Sequence, residues 1–227
     1  MTDIQLLYIE QGQGQPLILL HGNGESCDYF EHQIAYFSKQ YHVIALDTRG
    51  HGQSPRGEKP FTIQQFAEDL HDFMDEKGIE KAILLGFSDG GNIALTFALK
   101  YPERIGKLIL NGANLFPSGV KPLYQWPIEI GYRIAKMFSK KSDKALSNAE
   151  MLGLMVNEPH IEPSELDRLT MPVLVIAGTK DMIKESITRL IYKSLPNAQM
   201  NIIEGDHFVA NKNADAFNKV VDVFLRK

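Results

Sequence analysis

The chain has 227 residues, 44% of them hydrophobic and 23% charged, the proportions of an ordinary globular protein long enough for one large domain. Its formal net charge of −4 gives no reason to expect nucleic acid or an anionic membrane as a partner, and no apolar run approaches the length of a membrane span. Cys27 is the only cysteine, which excludes an intrachain disulfide, and Met1 to Gln11 lacks the basic-then-apolar layout of a signal peptide, so a reducing cytoplasm is the expected location.

Ile4 to Ile9 alternates weakly and ends in Gln11-Gly12-Gln13-Gly14, the pattern of an edge strand followed by a turn. Leu17 to Leu20 is a continuous apolar run, as expected of a strand buried on both faces, and leads directly into His21-Gly22-Asn23-Gly24. Tyr29 to Tyr41 has helical spacing through Phe30, Ile34 and Phe37. Val43 to Leu46 is a second buried strand, followed by the turn-rich Asp47-Thr48-Arg49-Gly50-His51-Gly52-Gln53-Ser54. Thr62 and Gln65 form a capping-box pattern ahead of a helix with Phe66, Leu70, Phe73 and Met74 on one stripe.

Lys81 to Leu85 is strand-like, and Asn92 to Lys100 helical. Between them lies Gly86-Phe87-Ser88-Asp89-Gly90, a serine with a glycine two residues to either side. A turn that tight forces the serine into a strained backbone, and a Cβ at either flank would collide with its neighbours. The hydroxyl is thereby raised above the sheet edge, at a helix N-terminus that favours developing negative charge.

Leu108 to Leu110 is the next strand, and the alternation of strand and helix up to this point argues for a parallel sheet covered on both faces. No strand is expected between Leu115 and Met171. Trp126 to Phe138 and Ser147 to Val156 read instead as two amphipathic helices, the second with Ser147 and Glu150 as a capping box. They are expected to form a helical lid over residues 115–171, inserted in a core made of residues 1–114 and 172–227. Lys136, Lys140, Lys141 and Lys144 cluster here and read as a solvated helix face. Pro172 to Gly178 and Met200 to Ile203 complete the strands, with helices at Glu185 to Leu195 and, capped by Asn213, through Phe217, Val220, Val221 and Phe224.

The loops that follow the strands share one edge of such a sheet, where open parallel sheets place their sites. Ser88 is the candidate nucleophile and needs a base within reach. His207, after the last strand, can take its proton and return it to a leaving group. Asp181, after the preceding strand, would accept the other ring N–H of His207. Asp206 adjoins His207 and reads as a loop cap; Asn111 and Asn114 cannot carry the charge. Two positioned donors are needed for a carbonyl oxygen under attack, and the backbone N–H groups of Asn23 and Asp89 are the candidates. His21 is expected to brace its loop, and Cys27 to be a bystander. Trp126, Ile130, Ile134, Met151 and Met155 are expected to wall an apolar acyl pocket beneath the lid.

Taken together, the motifs around His21, Asp47 to Ser54, Gly86 to Gly91, Gly178 to Asp181 and Gly205 to Phe208 resemble those of the α/β-hydrolase superfamily, of the short-lid type that includes small carboxylesterases and cofactor-free haloperoxidase-like enzymes. The elbow also resembles that of valacyclovir-hydrolase-like α-amino-acid esterases, where an aspartate likewise follows the serine. The resemblance implies a small-molecule ester, thioester or similar acyl substrate, an acyl-serine intermediate, and no metal or organic cofactor. Amidase, aminopeptidase, carbon–carbon hydrolase and perhydrolase activities are the enzymatic alternatives, and a slowly turning-over ligand receptor is the non-enzymatic one. Epoxide hydrolases and dehalogenases of this fold use an aspartate where Ser88 stands. A monomer or homodimer is expected, with neither nucleic acid nor membrane as partner. For Asp89, two expectations compete: its carboxylate turns away to backbone or to Arg49, or it faces the pocket and pairs with a substrate amine.

Overall fold

The four most apolar runs of the chain become the centre of a sheet because strands buried on both faces need no polar alternation. In the computed structural model, which describes residues 3–227, they are β2 (Pro16–Leu20), β3 (His42–Leu46), β4 (Ala82–Phe87) and β6 (Val173–Gly178). With β1 (Tyr8–Gln11), β5 (Ile105–Asn111) and β7 (Ala198–Ile203) they form one seven-stranded sheet in the order β1-β3-β2-β4-β5-β6-β7. Every pairing is parallel except that of β1 with β3. Met1 and Thr2, the start of the segment expected to lack a signal layout, lie outside the described residues.

Successive strand residues point to opposite faces, so the sheet divides the core in two. Ile18, Leu20, Ile44, Leu46 and Leu84 pack against α2 (Ile63–Glu76), α3 (Asp89–Lys100) and α6 (Glu185–Ser194). Leu17, Leu19, Val43, Ala45, Ile83 and Leu85 pack against α1 (Glu31–Phe37) and α8 (Ala214–Leu225) on the other side, where the short α7 (Val209–Lys212) also lies. Between β5 and β6 the chain leaves the sheet for α4 (Pro122–Phe138) and α5 (Asp143–Asn157). Among the described residues no helix is long and apolar enough to cross a membrane.

Several local expectations shift. The edge strand covers Tyr8–Gln11 rather than Ile4 to Ile9, because Ile4 and Leu6 are drawn into the core instead of pairing. α4 begins at Pro122, where the ring's fixed φ suits a first helical turn. α5 is capped by Ser142, whose hydroxyl accepts from Ala145 N–H, so Ser147 lies inside the helix and the Ser147–Glu150 box does not form. Glu150 instead receives both arms of Arg56, at 2.9 and 2.5 Å. Thr62 does cap α2 at 3.1 Å, while Gln65 turns to Asp69. Asn213 occupies the position before α8 without capping it, because its amide donates to the Glu204 carbonyl.

Candidate active site

Ser88 has φ 53° and ψ −121°, the only positive φ outside glycine among the described residues. The chain pays for that strain with close packing on both sides: a Cβ at Gly86 would strike the Gly90 backbone, and one at Gly90 would strike the carbonyls of Leu20 and His21. Ser88 N–H is held by the Asn111 carbonyl at 2.8 Å, and its own carbonyl accepts from Gly91 and Asn92 as α3 begins. The result places the hydroxyl at the C-terminal edge of β4, as the glycine spacing predicts.

His207 reaches this hydroxyl from the loop after β7. Its Nε2 lies 2.9 Å from Ser88 Oγ, and its Nδ1 lies 2.7 Å from Asp181 Oδ1. Both His207 and Asp181 are 4% exposed. Burial alone would raise the Asp181 carboxyl, but the hydrogen bond and charge of His207, with the N–H groups of Ile183 (2.9 Å) and Gly178 (3.3 Å), hold it below the usual range. Asp206 is excluded from the relay: its carboxylate caps Phe208 N–H and pairs with Lys212 at the surface. Two residues not singled out from sequence make room for the imidazole. Gly112, at φ 63°, stands where any Cβ would meet the His207 ring, and the Phe87 ring packs 4.9 Å from it.

The loop after β2 comes alongside. Thr48 N–H donates to His21 Nε2 at 3.0 Å, which leaves Nδ1–H to donate to the Gly22 carbonyl at 2.7 Å. Burial pushes this imidazole down to about 4, so it stays neutral and braces the loop. The backbone N–H groups of Asn23 and Asp89 donate to no protein acceptor among the described residues. The Asn23 side chain does more than the sequence suggested. Its amide donates both to Asp89 Oδ2 at 2.9 Å and to the Met151 carbonyl of α5 at 2.7 Å. Two residues on, Glu25 folds back so that Oε2 accepts from Gly22 N–H at 3.3 Å, and burial raises its carboxyl to about 7.

Asp89 is 7% exposed and does not reach Arg49. Arg49 is fully buried elsewhere, clamped by Asp69 and Asp3. The Asp89 carboxylate accepts from the amides of Asn23 and Asn92, and Asn92 is in turn bonded to Asn114, a polar chain running beneath the elbow. Burial shifts the Asp89 pKa upward against these neutral donors.

The expected pocket wall divides. Met151 and Met155 lie on α5, which approaches the elbow through Asn23. Trp126, Ile130 and Ile134 do not belong with them: they are 69%, 58% and 52% exposed, because α4 turns Gln125 and Ala135 inward and its apolar stripe out.

Residues 15–140 match the alpha/beta hydrolase fold family, and the chain belongs to it. Human Serine hydrolase BPHL is 29% identical over 250 residues, spanning 100% of this chain and 84% of its own length. Epoxide hydrolase 4 of Mus musculus is 39% identical over 283 residues, covering 100% of this chain and 77% of the relative. Among solved structures, the enol-lactonase from Burkholderia xenovorans LB400 superposes with a TM-score of 0.83 at 22% identity, over 99% of this chain and 97% of that one, a likeness of fold.

Proposed function

We propose that the protein is a serine hydrolase of small carboxylic esters, with Ser88 as nucleophile, His207 as general base and acid, and Asp181 as the carboxylate that orients and balances the imidazole. The observation that carries this reading is the unbroken hydrogen-bonded chain Ser88–His207–Asp181 at 2.9 and 2.7 Å. His207 Nε2 would accept the Ser88 proton as Oγ adds to the ester carbonyl, then return it to the departing alkoxide. Water, deprotonated by the same nitrogen, would release the acid and restore Ser88. The free N–H groups of Asn23 and Asp89 are assigned to the carbonyl oxygen, and residues 115–171 to a lid whose α5 carries Met151 and Met155 over the acyl group. The remaining residues, 1–114 and 172–227, form the core in this reading.

Epoxide opening is disfavoured by the identity of the nucleophile despite the 39% identical relative of that name. A serine that opens an epoxide becomes an alkyl ether, which water does not cleave, whereas the carboxylate used for that chemistry forms an ester that water can remove. Ser88→Ala is expected to lower kcat/KM for short p-nitrophenyl esters by at least about a thousandfold, leaving only oxyanion and binding effects. A smaller loss contradicts the assignment.

A second reading concerns the alcohol or acyl part that the site prefers. Burial raises the carboxyls of both Asp89 and Glu158, and Asp89 lies close enough for its charge to raise Glu158 further. A carboxylate accepts up to about four hydrogen bonds, and Asp89 has two. This local excess of carboxyl groups favours a substrate amine. Alanine esters should then be cleaved faster than propionate esters of the same alcohol, and Asp89→Asn should abolish the difference. Equal rates in the unmodified protein contradict amine recognition.

A further inference from the structure

The outward face of α4 is apolar where a surface helix should be polar. Leu123, Trp126, Ile130, Ile134 and Met137 recur every three or four residues and are 78%, 69%, 58%, 52% and 68% exposed. The opposite face is already occupied: Gln125 and Ala135 are buried, the Gln125 amide reaches the Met155 carbonyl of α5, and the Tyr132 ring covers Gly153. The stripe is therefore left over after the helix has docked, and five large apolar side chains in a row form a patch of the kind that marks an interaction surface.

Charge says what the patch suits. Residues 121–144 hold six basic side chains (Lys121, Arg133, Lys136, Lys140, Lys141 and Lys144) against two acidic ones, Glu129 and Asp143. This one segment is thus net +4, while the whole chain is −4 and the remainder −8. Lys140, Lys141 and Lys144 have no carboxylate within ion-pair distance among the described residues, and they follow the apolar stripe directly in the chain. A basic helix end joined to an apolar face bearing a tryptophan is the composition of a helix that lies in a lipid interface.

We propose that the outward face of α4, with the Lys136–Lys144 cluster at its end, is a docking surface for an anionic lipid interface. The helix would lie along the membrane plane, its apolar stripe entering the headgroup boundary and its lysines meeting anionic headgroups. At 17 residues it spans roughly 26 Å, suited to lying in the interface rather than to crossing it. A second copy of the chain fits the same face less well. A two-fold contact through α4 would set one +4 segment against another with few carboxylates on either side to neutralise it. The proposal does not depend on which acyl bond the protein cleaves.

Trp126 is the only tryptophan in the chain, so its emission reports on this face alone. Titrating the full-length protein with phosphatidylcholine vesicles containing 30% phosphatidylglycerol (about that fraction is enough to present a negative surface) should shift Trp126 emission to the blue in a saturable way. Phosphatidylcholine alone should give at least about a tenfold weaker partition, and added salt should weaken the anionic case by screening. Lys140→Glu/Lys141→Glu should lower partition by at least about twentyfold, and Leu123→Glu/Met137→Glu should abolish the shift. All four sites are exposed, and unchanged circular dichroism and melting would establish that the variants fold. An absent shift with anionic vesicles overturns the proposal. So does a blue shift that needs no lipid, rises with protein concentration and accompanies a dimeric mass in light scattering, which would identify a second copy as the occupant.

Discussion

Ser88 keeps a backbone conformation that costs roughly 1–3 kcal/mol, and the surrounding contacts are specific enough to hold it there. The residues that impose it were readable in sequence because the constraint is local: glycines two positions away on each side. Ser88, Asp181 and His207 were readable for a different reason, since each follows a strand and parallel strands deliver their ends to one edge. Glu25 and Gly112 left no such trace. Their importance comes from approach across the fold, Glu25 onto Gly22 and Gly112 beneath the His207 ring, and no periodicity announces it. Glu25 gives a test at this scale. Its folded-state carboxyl is raised from 4.5 to about 7 by burial, so the folded protein holds this proton more tightly than the unfolded chain does. The associated stability is present below pH 4.5 and is lost as pH rises through about 7. Glu25→Gln keeps an acceptor for Gly22 N–H without the charge. It should therefore melt higher than the unmodified protein at about pH 8.5 and nearly equally at about pH 5. A difference that does not vary with pH would show that Glu25 is not ionising in that window.

At the scale of the element, α4 shows how far an amphipathic pattern reaches. The spacing of Trp126, Ile130 and Ile134 correctly announces a helix and an apolar face, but periodicity fixes only which residues share a side. Which side docks was decided by Gln125, Ala135 and Tyr132 packing onto α5, and a stripe read as an inner wall lies outside. A boundary also moved: Ser142 caps α5 five residues ahead of Ser147, which places Ser147 inside the helix and leaves Glu150 to pair with Arg56. α5 also has a connection that no pattern suggested, the Asn23 amide bridging Asp89 and the Met151 carbonyl. That bridge fixes the loop whose backbone N–H we assign to the oxyanion. Asn23→Ala retains the N–H but frees the loop, and should lower kcat by about ten- to a hundredfold with a smaller change in KM. A mutant that changes KM alone would place Asn23 in substrate binding instead.

For the whole molecule, the sheet was the most legible feature. Short apolar runs alternating with helices admit few topologies, and the handed crossover rule reduces them to a doubly covered parallel sheet. Two things escaped that reading: the antiparallel edge strand is displaced along the chain, and a net charge averaged over 227 residues concealed a segment of opposite sign. The sheet has one functional consequence, which is to bring three loops separated by up to 119 residues in sequence to a single hydrogen-bonded relay. The central claim is that this relay makes Ser88 reactive. Treating the protein with a fluorophosphonate and mapping the adduct by mass spectrometry tests it most directly, because the reagent needs an activated serine but no knowledge of the substrate. One adduct on Ser88 is predicted, absent in Ser88→Ala and formed far more slowly in His207→Ala. No adduct, an adduct on another residue, or labelling of Ser88 at an undiminished rate without His207 would contradict the account.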